Sequence, residues 1–116
     1  MVPHSILTDN DELKTVTREF LDYVLAHQED SGWLGPEANN NRQRFLWGRY
    51  PFFFGAIQMV ENDPSLTDPV LDALYKFIPL ANDMMRNGQG LEVWTETRWE
   101  DFVMTLQWCV CLTVAF

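Results

Sequence analysis

The distribution of charge over four segments of helical periodicity constrains the fold of this chain more than any other feature. Residues 50–61 carry no charge before Glu61, and residues 102–116 carry none. Residues 11–27 and 69–87 each have one charged side. A helix without a charged side must be covered by other elements on several sides, whereas an amphipathic helix lies at the surface. The pattern therefore predicts two inner helices wrapped by two outer ones.

The first outer helix is predicted to begin near residues 8–10, because Thr8 or Asp9 can cap it and acidic residues follow in its first turn. Spacings of three and four predict an apolar stripe of Leu13, Val16, Phe20, Val24 and either Tyr23 or His27. His27 is interpreted as a solvated partner of the helix end, since no second His or Cys lies at ligand spacing.

The first inner helix is predicted over residues 50–61, with Pro51 in its first turn and Gly55 permitting close approach of a neighbour. After a short link, Asp68 and Pro69 predict the start of the second outer helix, and Gly88 its end. Pro79 is expected to bend that helix. Its apolar positions are Val70, Leu71, Leu74, Phe77, Ile78 and Ala81.

The second inner helix has a capping box at its start, formed by Thr97 and Glu100. Residues 89–97 before it alternate in side-chain type, which predicts a short extended strip. The connections between the four helices are thus long, short and long. Because antiparallel helices place alternate connections at opposite ends, both long loops are predicted to share one end.

This order predicts an all-α fold of four antiparallel helices, forming two helical hairpins in an arc of an (α/α) barrel. Four helices cannot close such a barrel, so apolar flanks of the inner helices are expected to face water. The sequence also stops at Phe116 within an apolar run that lacks the usual signals of a helix end. We therefore expect residues 1–116 to be one partial domain, truncated at its C-terminal side.

Composition narrows the range of partners. The chain is 47% hydrophobic with a net charge of −9 and no cluster of Lys and Arg, which argues against nucleic acid and anionic membranes. Neither a secretory signal nor a membrane-spanning segment is apparent, so a cytoplasmic location is the default expectation. Cys109 and Cys111 lie one residue apart in an apolar run, and we interpret both as buried reduced thiols.

Three segments, SGWLGPE, FLWGRYPFFFGAIQ and TRWEDFVMTLQW, resemble in order and spacing part of the helical catalytic domain of glycoside hydrolase family 127, especially its fungal members. The resemblance covers about residues 9–108. It implies an α/α-barrel enzyme acting on β-L-arabinofuranosides or related sugars, with a cysteine nucleophile beside a zinc ion held by cysteines and a glutamate. In that family these residues lie downstream of the matched region. No catalytic role is therefore carried onto Cys109 or Cys111, and no cofactor is expected in this chain.

Residues 31–51 and the later long loop combine flat aromatic rings with bidentate polar groups, which is the chemistry that binds sugars. The candidate substrate-binding residues are Trp33, Trp47, Arg49, Tyr50, Trp94, Glu96 and Trp99. In the alternative interpretation the tryptophans pack the loops onto helix ends, and Arg49 pairs with a loop carboxylate such as Glu37. The carboxylates Glu92, Glu96, Glu100 and Asp101 are favoured as solvated or capping groups rather than as a glycosidase pair.

The sequence thus predicts a glycoside hydrolase fragment that is inactive alone, because the nucleophile and zinc ligands are not among its residues. Two alternatives stay open. One is a free-standing helical module that shields its apolar inner helices by self-association. The other is a carbohydrate-binding module without catalysis, in which Trp47→Ala abolishes binding.

Overall fold

The fold is seen in a computed structural model that describes residues 1–37, 43–93 and 98–114. These residues contain five α-helices, two short 3₁₀ turns (Trp47–Arg49 and Pro64–Leu66) and no strand. The helices are α1 (Val2–Leu7), α2 (Asp11–Ala26), α3 (Tyr50–Asn62), α4 (Thr67–Arg86) and α5 (Trp99–Val114). The all-α prediction is confirmed. The extended strip is not seen in its described part, residues 89–93, and its remainder lies outside the described residues, as does Thr97 of the capping box.

The central element is α3, which contacts α1, α4 and α5. Pro51 lies in its first turn, as predicted, and Tyr50, Phe53, Ala56 and Val60 form its buried side. The ring of Phe53 meets that of Phe77 on α4 edge to face, with centroids 4.9 Å apart. This aromatic contact joins the first inner helix to the second outer one.

The two inner helices run in the same direction. Near their first turns, the rings of Tyr50 and Phe102 stack with centroids 5.7 Å apart. Near the end of α3, Trp108 Nε1 of α5 donates a hydrogen bond to Glu61 Oε1 at 2.7 Å. Two successive helical hairpins give this parallel arrangement of their inner helices, because one outer helix lies between those inner helices in the sequence.

The two long loops meet at one end of the molecule, which confirms the prediction made from their lengths. Leu46 N donates a hydrogen bond to Gly90 O at 3.0 Å. Gly90 has a φ of 78°, and a Cβ there would stand 3.0 Å from Leu46 Cγ. Glycine is therefore suited to this contact both by its backbone conformation and by its size.

The prediction for α4 is confirmed in its buried face and corrected at its start. Val70, Leu74, Phe77 and Ala81 are buried, and Leu71 and Ile78 are partly so. The helix begins at Thr67, without a side-chain cap from Asp68. Asp63 instead caps the preceding 3₁₀ turn by accepting a hydrogen bond from Ser65 N. Pro79 lies inside the helix, and Gly88, with a φ of 68°, follows its end.

The prediction for α2 was wrong in two respects. Its cap is Asn10, whose Oδ1 accepts a hydrogen bond from Leu13 N at 2.9 Å. Its buried residues are Thr17 and Leu21, whereas Val16, Phe20 and Tyr23 of the predicted stripe are exposed. Thr17 is tolerated inside because its hydroxyl donates to carbonyls of its own helix. The unpredicted helix α1 contacts both α2 and α3.

Two further corrections concern α5. Its buried residues are Phe102, Thr105 and Cys109, so it is covered along one side. Met104, Val110 and Val114 are exposed, and an exposed apolar flank is what a four-helix arc predicts. Cys109 is buried, which raises the pKa of its thiol, but Cys111 is exposed. None of the described helices combines the length and apolarity that crossing a bilayer requires.

Candidate functional site at the loop end

The first long loop is anchored in the core by Trp33. The residue before it, Gly32, has a φ of 96° and lies so close to α4 that a Cβ would stand 2.2 Å from Lys76 O. Only glycine fits there, and its turn directs the next side chain inward. The Trp33 ring has no exposed surface and lies 5.9 Å from the Phe77 ring. The prediction that Trp33 lines an open mouth is therefore corrected, because the ring presents no accessible face.

Two arginines and two glutamates surround Trp33. The guanidinium carbons of Arg44 and Arg49 lie 5.0 Å and 5.2 Å from the centroid of its ring, within cation–π range. Arg49 forms a bidentate pair with Glu37 at 2.9 and 3.0 Å. Its Nη1 also donates to Leu34 O at 2.9 Å. We call Glu29, Trp33, Glu37, Arg44 and Arg49 the loop clasp.

Arg44 completes the clasp by bridging two segments of the loop. It donates to the carboxylate of Glu29 and, at 2.8 Å, to Glu37 O. The hydrogen bond from Arg44, reinforced by Ser31 and opposed by partial burial, lowers the pKa of Glu29 below its usual value. The alternative prediction that Arg49 pairs with Glu37 is thus confirmed. Sequence reasoning missed Glu29 and Arg44, although two Arg and two Glu flanking one Trp is a signal that could have found them.

Two buried polar atoms of the clasp have no hydrogen-bond partner among the described residues, namely Trp33 Nε1 and Arg49 Nε. An unsatisfied buried donor costs about 1–3 kcal/mol. The surrounding charge pairs and ring packing therefore have to offset that cost for the clasp to be stable.

Tyr50, the first residue of α3, follows Arg49 of the clasp and is only 3% exposed. Its ring stacks on Phe102, and burial together with Asp101 raises the pKa of its hydroxyl. The prediction that Tyr50 lines the mouth is corrected in the same way as that for Trp33. Its position is a junction between the two inner helices.

Trp47 and Trp99 lie nearer to solvent at the same end. Trp47 is partly buried, and its Nε1 donates to Glu92 Oε1 of the second long loop at 3.2 Å. Trp99, the first residue of α5, is 56% exposed. Beside it, Arg98 pairs with Asp101 at 2.8 Å, so this carboxylate is an ion-pair partner rather than the solvated or capping group favoured from the sequence. Trp94 and Glu96 lie outside the described residues.

The loop end thus divides the candidate residues into two groups. Trp33, Arg49 and Tyr50 hold the loops to the helices, whereas Trp47 and Trp99 retain surface that a ligand can touch. Among the described residues, no three His, Cys, Asp or Glu side chains are grouped as a metal site would require. Comparison with protein-family models, curated proteins and solved structures finds no match to the chain.

Proposed function

We propose that this chain is a helical part of a catalytic domain related to glycoside hydrolase family 127, and that its loop end contributes sugar contacts without supplying a nucleophile or zinc ligands. The observation that carries the proposal is the meeting of the two long loops through Leu46 and Gly90. That contact places Trp47 and Glu92 side by side at one end of two parallel inner helices. In an α/α barrel, this is the end at which loops build a sugar-binding mouth.

The chemistry of Trp99 and Glu92 fits a sugar ligand. Trp99 offers an aromatic face to the C–H side of a furanose ring, and Glu92 is a carboxylate that can accept hydrogen bonds from hydroxyls. The clasp holds the described part of the first long loop in place, so less conformational entropy is lost there on binding. Trp94 and Glu96 stay candidates for the same mouth.

Calorimetric titration with a short β-L-arabinofuranoside tests the sugar contacts. We expect saturable binding that weakens roughly tenfold or more in Trp47→Ala and Trp99→Ala, because each removes an aromatic contact. Tyr75→Ala is the matched control, since Tyr75 is an exposed aromatic residue on α4. Absence of binding by the wild-type chain, or equal losses in all three variants, would contradict the proposal.

A hydrolysis assay tests the other half of the proposal. We expect purified chain to release no arabinose from the same compound, and turnover that survives stringent purification would contradict the claim that its chemistry lies elsewhere. Saturable binding without turnover also fits a carbohydrate-binding module. The two are separated by adding the remainder of a family 127 domain, which restores turnover only for a part of the enzyme.

Self-association is a second candidate function, favoured by the exposed flank of α5. Met104, Val110 and Val114 are 59%, 60% and 81% exposed, and no charge interrupts the sequence from Phe102 to the end of the helix. In a chain of net charge −9, this flank is a surface where two copies can meet without direct repulsion between charged side chains.

A further inference from the structure

An apolar groove lies between α1, α2 and α3. Its volume is about 520 Å³, and small-molecule sites usually enclose roughly 300–1,000 Å³. Leu21 and Ala56 are buried at its base, at 1% and 4% exposure, whereas Phe20 at its edge is 61% exposed. The groove is therefore open to solvent at one side and closed by core residues at the other.

Apart from the backbone amino group of Met1, the groove is lined by uncharged groups. None of the described residues that line it has a charged side chain. Of its two polar side chains, Thr17 already donates its hydroxyl to the carbonyls of Leu13 and Lys14. Gln58 is exposed, so its amide is accessible to a bound molecule.

Two basic residues of α2 near the groove are already paired. On α2, Lys14 forms an ion pair with Asp9, and Arg18 pairs with Asp22 at 3.0 Å and approaches Asp63 at 3.8 Å. To pair with Lys14 or Arg18, an anionic head group would have to displace one of these carboxylates in a chain of net charge −9. A charged ligand is disfavoured for the further reason that an unpaired charge is costly to bring against an apolar surface.

The walls of the groove are aromatic. Phe20 and Phe52 meet edge to face with centroids 6.4 Å apart, and Phe54 lines the groove beside them. Gly55 provides the space, since a Cβ there would meet only Val2 Cγ2, at 3.6 Å. Flat apolar walls with one amide nearby suit a ring or a hydrocarbon chain that carries a single polar group.

We propose that this groove binds an uncharged, largely hydrocarbon small molecule with one hydrogen-bonding group, held against Phe20 and Phe52 with its polar group at the Gln58 amide. The groove shares no lining residue with Trp47, Glu92 or Trp99 of the loop end. The inference is therefore independent of the proposed sugar contacts.

Fluorescence titration with N-phenyl-1-naphthylamine, an uncharged aromatic probe, tests the site. We expect saturable binding of one probe per chain. Gly55→Ala is expected to bind as the wild type does, because a methyl group fits at 3.6 Å from Val2. Gly55→Leu is expected to bind roughly tenfold more weakly or worse, since its side chain occupies the space of the probe.

Phe20→Ala provides a second variant that does not depend on the helix tolerating leucine. Phe20 is exposed, so its removal leaves the core intact while opening one wall, and a roughly tenfold loss of affinity is expected. Tyr75→Ala is its matched control and is expected to bind normally. Binding unchanged in Phe20→Ala, binding that does not saturate, or a probe that binds only to a dimer in sedimentation would each overturn the proposal.

Discussion

Arg49 is the residue on which the first long loop depends most. Its side chain is 12% exposed, and its guanidinium pairs with both oxygens of Glu37 and lies over Trp33. We expect Arg49→Ala to lower the free energy of unfolding by about 2–4 kcal/mol, because it leaves a half-buried carboxylate and a carbonyl without their donor. Urea unfolding followed by circular dichroism measures this change.

Arg18→Ala is the matched control for that measurement. Arg18 pairs with Asp22 at a similar distance, but both side chains are about half exposed. Exposed ion pairs contribute only about 0–1 kcal/mol. Equal losses in the two variants would mean that burial and the Trp33 contact add nothing to the Arg49 pair.

Glu29 gives the clasp a dependence on pH. Its pKa is lowered from its usual value mainly by the hydrogen bond from Arg44, so the folded state binds protons less readily than the unfolded state. The stabilisation is therefore complete above the unfolded value and is lost as pH falls through the folded value. We expect Glu29→Gln to be less stable at neutral pH and to lose less stability on acidification, as measured by thermal melts from neutral to acidic pH.

The control for Glu29 is Glu19→Gln, which alters an exposed carboxylate on α2. It is expected to retain the wild-type change in stability with pH. If Glu29→Gln and the wild type lose the same stability on acidification, the acid dependence of this protein does not arise from Glu29 in the clasp.

At the scale of elements, substituting a glycine by alanine is expected to have opposite effects within a helix and in the first long loop. Gly55 lies within α3, where an added methyl meets Val2 at an ordinary 3.6 Å. We expect Gly55→Ala to raise the free energy of unfolding by about 0.5–1 kcal/mol through helix propensity and a smaller unfolded-state entropy. A Cβ at Gly35 would instead stand 1.5 Å from Arg49 Nη1.

Gly35→Ala is therefore expected to destabilise by about 1–3 kcal/mol, because it displaces the guanidinium from Glu37. Its effect should shrink in an Arg49→Ala background, where nothing is left to displace. Additive losses in a double-mutant cycle would show that Gly35 acts through its own backbone rather than through Arg49.

The elements also show which parts of this fold a sequence can reveal. The buried face of α4 was predicted correctly because its buried positions, such as Leu74 and Phe77, are all apolar and most of its exposed ones are polar. The α2 helix was misread because a buried threonine hides its hydroxyl in its own helix, while Phe20 is exposed beside a groove. A local sequence pattern reflects the average preference of each side chain for the core or the surface. It does not show which neighbours tertiary packing places beside that side chain.

The residues of the candidate site likewise divide into those whose contacts could be predicted from the sequence and those whose contacts could not. The pairing of Arg49 with Glu37 could be weighed from sequence, since both residues lie in one loop. The burial of Trp33 could not, because it depends on Gly32 lying against Lys76, 44 positions away in the chain. That both long loops share one end was predictable, because it follows from connection lengths alone.

For the whole molecule, the exposed flank of α5 predicts concentration-dependent association. Burial of Met104, Val110 and Val114 against a second copy favours a dimer, while the net charge of −9 opposes it. Because salt screens exposed charges but leaves the hydrophobic contribution in place, association should strengthen from low to high ionic strength. Sedimentation equilibrium at several protein and salt concentrations measures both effects.

Val110→Glu is the variant that decides this prediction. It places one further negative charge at the centre of the flank in each copy, so the chain is expected to stay monomeric across the same concentrations. Val93→Glu makes the same chemical change at a fully exposed loop position and is expected to associate as the wild type does. If both variants associate equally, the contact between copies lies away from α5, and the flank is left for the neighbouring hairpin that an α/α barrel would supply.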